Sequence, residues 1–150
     1  MGAGRVILGM IFCLVAAILI VFFITLGYNL GDYPELGTLG LYQAVFLFLF
    51  HPYFTILLGI YSALAALAVG AFIGGLASKG AKHGALVGLL SWIIIFVLYL
   101  ALTWVFDFAS MMAFWNALGI INLVIDIVLS LGILVAVGAI GGAITGGGED

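Results

Sequence analysis

The sequence predicts an all-α, polytopic membrane protein: four transmembrane helices arranged as two glycine-packed hairpins, with short interfacial helices near 41–50 and 107–116. Three observations carry this. Of the 150 residues, 67% are hydrophobic and only 6% are charged, whereas a soluble domain needs about 25% charged residues to cover its surface. The apolar residues fall into runs near the ~20 residues a helix needs to cross a bilayer. Glycines recur four apart in the later runs, on single helix faces.

The first span is expected at Val6 to Leu26, which contains no charge. It is too long for a signal-peptide core and lacks a small-residue cleavage pattern, so it reads as retained. The polar stretch Gly27 to Gly40 follows, with Asp32, Pro34 and Glu35. Leu41 to Ala77 is too long for one span. His51-Pro52 divides it, because proline disfavours helix in the residue before it. The division gives an interfacial or re-entrant helix at 41–50 and a second span at 53–77. Ser78 to His83 makes a tight basic loop. The third span covers 84–106, the interfacial stretch 107–116 follows, and the fourth span covers 117–144. Residues 145–150 form a flexible acidic tail, and the whole is one integral membrane domain.

The basic residues are Arg5, Lys79 and Lys82. With this assignment all three fall on one side, and the positive-inside rule makes both termini cytoplasmic. Tyr28, Tyr33, Tyr42, Tyr53, Trp104 and Trp115 then gather toward the outer ends as an aromatic belt. Three basic residues with a net charge of −3 form no basic cluster, which argues against a nucleic-acid partner. Cys13 has no second cysteine to pair with, and it reads as a small apolar filler.

Spans two and four share a weak repeat. Ser62 and Ala68-Val69-Gly70-Ala71 match Ser130 and Ala136-Val137-Gly138-Ala139. Gly70 and Gly74, Gly84 and Gly88, and Gly138 and Gly142 present faces without side chains, where backbones can approach closely. Tight crossing of spans two, three and four is expected in their cytoplasmic halves, as internal packing or as an oligomer seam.

Asp126 is the outstanding residue. A carboxylate inside a membrane span costs roughly 2.5 kcal/mol or more and marks a functional hypothesis. Asn122, Asp126 and Ser130 lie four apart on one face. The sequence places no cation at matching depth, so the expected neighbours are the hydroxyls of Tyr61, Ser62 and Tyr99. Asp126 is then either a protonated packing residue bonded to a backbone carbonyl or to Asn122, or its partner is an ion or another subunit. His51 reads as an ordinary ring at the outer interface and His83 as a solvated loop residue. On opposite sides, the two cannot share a metal. No metal site, cofactor or catalytic set is expected, since no nucleophile, base and orienting group stand together.

The stretch Ala71 to Leu90 leads a Gly/Ala-rich span through Ser78-Lys79-Gly80-Ala81-Lys82-His83 into Gly84-Ala85-Leu86-Val87-Gly88. Together with Val137-Gly138-Ala139-Ile140-Gly141-Gly142-Ala143, it resembles small glycine-rich four-helix membrane proteins of unknown function, frequent in archaea. That resemblance implies fold and topology only. Asp126-Ile127-Val128-Leu129-Ser130-Leu131-Gly132 is similar to the fourth helix of duplicated proteolipid rotor subunits of rotary ATPases. The departures are that spans one and three lack their glycine ladder, apolar segments replace their polar loops, and Leu58 stands at the repeat position of Asp126.

The expected function is a non-enzymatic structural or accessory subunit of a membrane complex or homo-oligomer. Its partners would be the lipid bilayer and other membrane subunits or itself, in a cell membrane or a viral envelope; membrane-shaping proteins belong to the same class. The alternative is a small proton or cation channel or carrier using Asp126.

Overall fold

The computed structural model describes residues 2–25, 45–57, 59 and 61–146, and all the regular structure among them is helical. Helix α1 is Gly2–Ile20, continued by a wider π-type turn at Val21–Thr25. A short helical segment at 45–50, α2, leads into α3, Pro52–Leu57. Then come α4 (Ser62–Ser78), α5 (Ala81–Leu118) and α6 (Ile120–Gly146). Three helical stretches, Ala3–Ile20, Ala81–Leu102 and Ile120–Gly146, are long and apolar enough to cross a membrane, while Ser62–Ser78 is apolar but shorter. The polar stretch 27–40, the start of the 41–50 segment and the tail residues 147–150 lie outside the described residues. So do Tyr28, Tyr33 and Tyr42 of the expected aromatic belt.

The shortest of the four apolar helices sits at the centre. α4 packs against both α1 and α6, and α6 packs along α5. Ala63, Ala66, Leu67, Gly70, Ala71, Gly74, Gly75 and Ser78 of α4 are buried. Their small size explains the position: a helix sheathed in alanine and glycine admits neighbours on two sides. Cys13 and Ala17 are the buried counterparts on α1. A Cβ on Gly74 would stand 2.6 Å from the carbonyl oxygen of Gly9, and one on Gly70 would stand 2.7 Å from that of Cys13. On the other side, Gly75 and Gly84 face the backbone of Gly138, Gly88 faces Leu134, and Gly142 faces Gly80. Every one of these neighbours is main chain, which cannot rotate away. In an apolar medium such close van der Waals packing is a main source of helix association.

The α4–α5 connection is only Lys79 and Gly80. Lys79 has φ 56 and Gly80 φ 133, and the Gly80 N–H donates to the Gly142 carbonyl at 2.8 Å. The turn is thereby pinned to α6.

Three expectations need correction. The helix expected over 53–77 is two helices, because the chain turns at Gly59 with φ 81, where the Gly59 N–H donates to the Ile56 carbonyl at 2.9 Å. The described part of the 41–50 segment does not lie along an interface. Val45, Phe46, Leu49 and Phe50 are buried and none of residues 45–50 is exposed, so α2 inserts between its neighbours. Lastly, 107–116 is not a separate helix but the end of the 38-residue α5.

That helix is not straight. Tyr99 and Trp115 are 16 residues apart, yet the Trp115 Nε1–H donates to the Tyr99 hydroxyl at 3.2 Å. A straight helix would separate their backbones by about 24 Å, beyond the reach of both side chains. α5 therefore bends sharply between them, although that interval has neither glycine nor proline. Proline and glycine, two usual local causes of a kink, are thus not its origin. Ring contacts of Tyr99 and Phe114 to a common partner, His51, hold the bend.

Candidate functional site: a buried Asp–His–Tyr–Trp chain

Proline 52 creates the site. Its ring fits the first position of a helix, where no N–H is required. The N–H groups next in line, of Tyr53 and Phe54, have no carbonyl one turn back within α3. Both donate to Asp126 Oδ1, at 2.8 and 3.1 Å. A carboxylate from α6 thus does for α3 what a capping side chain usually does from within. A carboxylate on backbone N–H groups makes a charge-assisted hydrogen bond, stronger than a neutral one.

The second oxygen meets His51, which precedes the proline. His51 Nδ1 lies 3.0 Å from Asp126 Oδ2, and His51 Nε2 lies 3.0 Å from the Tyr99 hydroxyl. Trp115 Nε1–H reaches the same hydroxyl. One proton arrangement satisfies every group: Trp115 donates to Tyr99, Tyr99 donates to Nε2, and Nδ1–H donates to the carboxylate. His51 and Asp126 are 0% exposed and Tyr99 is 1% exposed. At such burial an unpartnered polar group would cost several kcal/mol, of order 2–7, so the completeness of the chain matters more than any single bond.

Aromatic rings enclose the chain. Phe50 stacks on Tyr99 with centroids 4.7 Å apart and meets Phe96 at 5.4 Å. Phe114 meets the edges of both His51 (5.1 Å) and Phe54 (4.8 Å). Beyond Phe114 a groove of about 320 Å³ opens, lined by Phe54, Leu57, Phe114, Ala117, Leu118 and Asn122.

The polar line on α6 is divided in use. Asp126 binds α3. Ser130 accepts from Trp92 Nε1 at 2.9 Å and donates to the Ile127 carbonyl. Asn122 turns back to donate to the Leu118 carbonyl at 2.8 Å. Of the expected hydroxyls, Tyr99 joins through His51, whereas Tyr61 is 64% exposed. Ser62 is the half-buried first residue of α4.

His51, Trp92 and Trp115 were not among the expected site residues. The expectation that no basic residue reaches Asp126 is wrong, because inserting α2 and α3 carries His51 to the carboxylate. A signal was present in the sequence: a run too short to span, ending in His-Pro, begins a new helix whose first N–H groups need an acceptor. The expectation that no base and orienting group stand together also needs revision. Asp126 orients His51 toward a hydroxyl, in the order a hydrolase uses. Here the hydroxyl is a phenol already engaged by Trp115, and His51, Tyr99 and Asp126 are buried.

Among the described residues no cluster of three or more His, Cys, Asp or Glu could hold a metal ion. No protein-family model matches the chain, and neither a curated protein nor a solved structure is significantly similar to it.

Proposed function

We propose that the chain is a non-enzymatic integral membrane protein with four spans packed through glycine, serving as a structural or accessory subunit of a membrane complex or homo-oligomer. One observation carries this reading. The buried carboxylate, the residue most suggestive of transport, has both oxygens engaged by groups of its own chain. Its role is to seat the α2–α3 insertion, which makes it an architectural residue. The apolar outer face of α1, with Ile7, Leu8, Ile11, Phe12, Val15 and Leu19 about half exposed, supports contact with lipid or another apolar helix. The basic residues at Arg5, Lys79 and Lys82 support cytoplasmic termini. The resemblance to archaeal four-helix proteins is compatible with this reading and adds no activity.

Extraction in mild detergent followed by native mass measurement tests the proposal. A homo-multimer or a stoichiometric co-purifying chain is expected. A clean monomer from the native membrane would overturn the subunit role.

A second reading has its own support. Tyr99, His51 and Asp126 form a chain of exchangeable protons, the material of a proton relay, into which Trp115 only donates. Proton flux into liposomes separates the two. The architectural role predicts flux no greater than that of empty vesicles, for wild type and Asp126→Asn alike. Flux in the wild type that Asp126→Asn abolishes would favour the relay.

A further inference from the structure

On the flank of the α5–α6 pair away from the Asp126 chain runs a groove of about 610 Å³, from Lys82 to Leu89 on α5 and from Val128 to Val135 on α6. Its cause is visible in the packing. Gly84 and Gly88 bring α5 onto the backbone of Gly138 and Leu134, and small residues beside that seam, Ala85 and Gly132, keep the floor low. Gly132 differs from the seam glycines because a Cβ there would have no atom within 4 Å. The walls are apolar, and the one charged group, exposed Lys82, stands at the end next to the Lys79–Gly80 turn.

We infer that this groove holds one acyl chain of an anionic phospholipid, its phosphate at Lys82. Length and charge both argue for it. Gly84 on Gly138 and Gly88 on Leu134 set the two helices antiparallel, so Val128 lies beyond the level of Leu89 and the two walls together extend about 18 Å from Lys82, close to a leaflet's share of the ~30 Å hydrocarbon core. A tail lying there enters from the side of the basic turn and reaches about to the bilayer centre. Lysine can lay its stem along the apolar wall while its ammonium stays at headgroup level, where anionic lipids supply the complementary charge. A second copy of the chain would put apolar side chains into the same walls and would meet the ammonium through Glu149 and Asp150 of its acidic tail, an occupant that the dimer outcome of the test separates from a lipid. The inference requires membrane insertion and is independent of the subunit role.

The test uses the full chain in detergent, titrated with phosphatidylglycerol or phosphatidylcholine and read by native mass spectrometry. The wild type should retain one phosphatidylglycerol in preference to phosphatidylcholine. Gly132→Phe fills the floor without touching the glycine seam, so helicity and thermal stability should persist while retention of both lipids falls. Lys82→Gln should keep the groove but reduce the preference for the anionic lipid by roughly fivefold, the scale of one lysine near a charged surface. Equal retention of the two lipids by wild type, or unchanged retention in Gly132→Phe, overturns the inference. A dimer that Gly132→Phe dissociates would also overturn it, assigning the groove to a second copy.

Discussion

The two ends of the bundle are held by opposite means. Near the Lys79–Gly80 turn, helices meet because side chains are missing: Gly9 faces Gly74, Gly84 faces Gly138, and Gly80 faces Gly142. Around Asp126 they meet because side chains are large and polar: a carboxylate, an imidazole, a phenol and an indole bonded in series. The first kind of contact is strong through proximity and tolerates no added atom. The second is strong through completeness and tolerates no lost partner. Damage should therefore come from enlargement at one end and from deletion at the other.

The largest effect is expected for Gly138→Leu. Its side chain would be driven into the backbone of Gly84, which cannot yield as a flexible side chain would. Overpacking in ordinary cores costs about 1–3 kcal/mol. Here backbone meets backbone, so the loss should exceed about 4 kcal/mol, the range reserved for severe mechanisms. Thermal unfolding in detergent should show no cooperative folded state. A stable Gly138→Leu protein would mean that the close approach is not what holds this end.

Asp126→Leu should come next. It leaves two backbone N–H groups and His51 buried without their acceptor, and breaking a buried pair from one side costs roughly 3–5 kcal/mol. Asp126→Asn keeps an oxygen for Tyr53 and Phe54 and should lose visibly less in the same melt. If the two variants are equally stable, the cap on α3 contributes nothing and the comparison between the ends fails.

Tyr99→Phe is the mildest of the three. The ring still stacks on Phe50, but His51 Nε2 and Trp115 Nε1 lose their shared partner, for about 1–3 kcal/mol. In a background with Trp92 and Trp104 replaced by phenylalanine, the emission of Trp115 reports the change, since its N–H is freed while its surroundings remain. A shift in that emission without loss of helicity would separate the polar series from the packing around it.

These ends were unequally legible in the sequence. A high apolar fraction and the run lengths marked helices that can cross a membrane, because both are local properties of the chain. Asp126 stood out for the same reason: one charge in an apolar run needs no alignment to be noticed. His51 did not, because its meaning depends on a fold-back. Read locally, His51-Pro52 ends a helix. In three dimensions Pro52 begins one, and the insertion of α2 and α3 decides between the two. The bend of α5 was equally hidden, since it lies between Tyr99 and Trp115 with no glycine or proline to announce it. Its restraints, on His51, are far away in sequence.

That bend also bears on the bilayer the protein would fit. Straight, the 38 residues of α5 would measure about 57 Å, nearly twice the ~30 Å hydrocarbon core. Because α5 bends between Tyr99 and Trp115, its straight part is shorter than that. The hydrogen bond from Trp115 and the ring edge of Phe114 therefore limit the straight length of α5 as well as completing a site. Straight length is the dimension on which hydrophobic mismatch acts, so these two aromatic side chains bear on it.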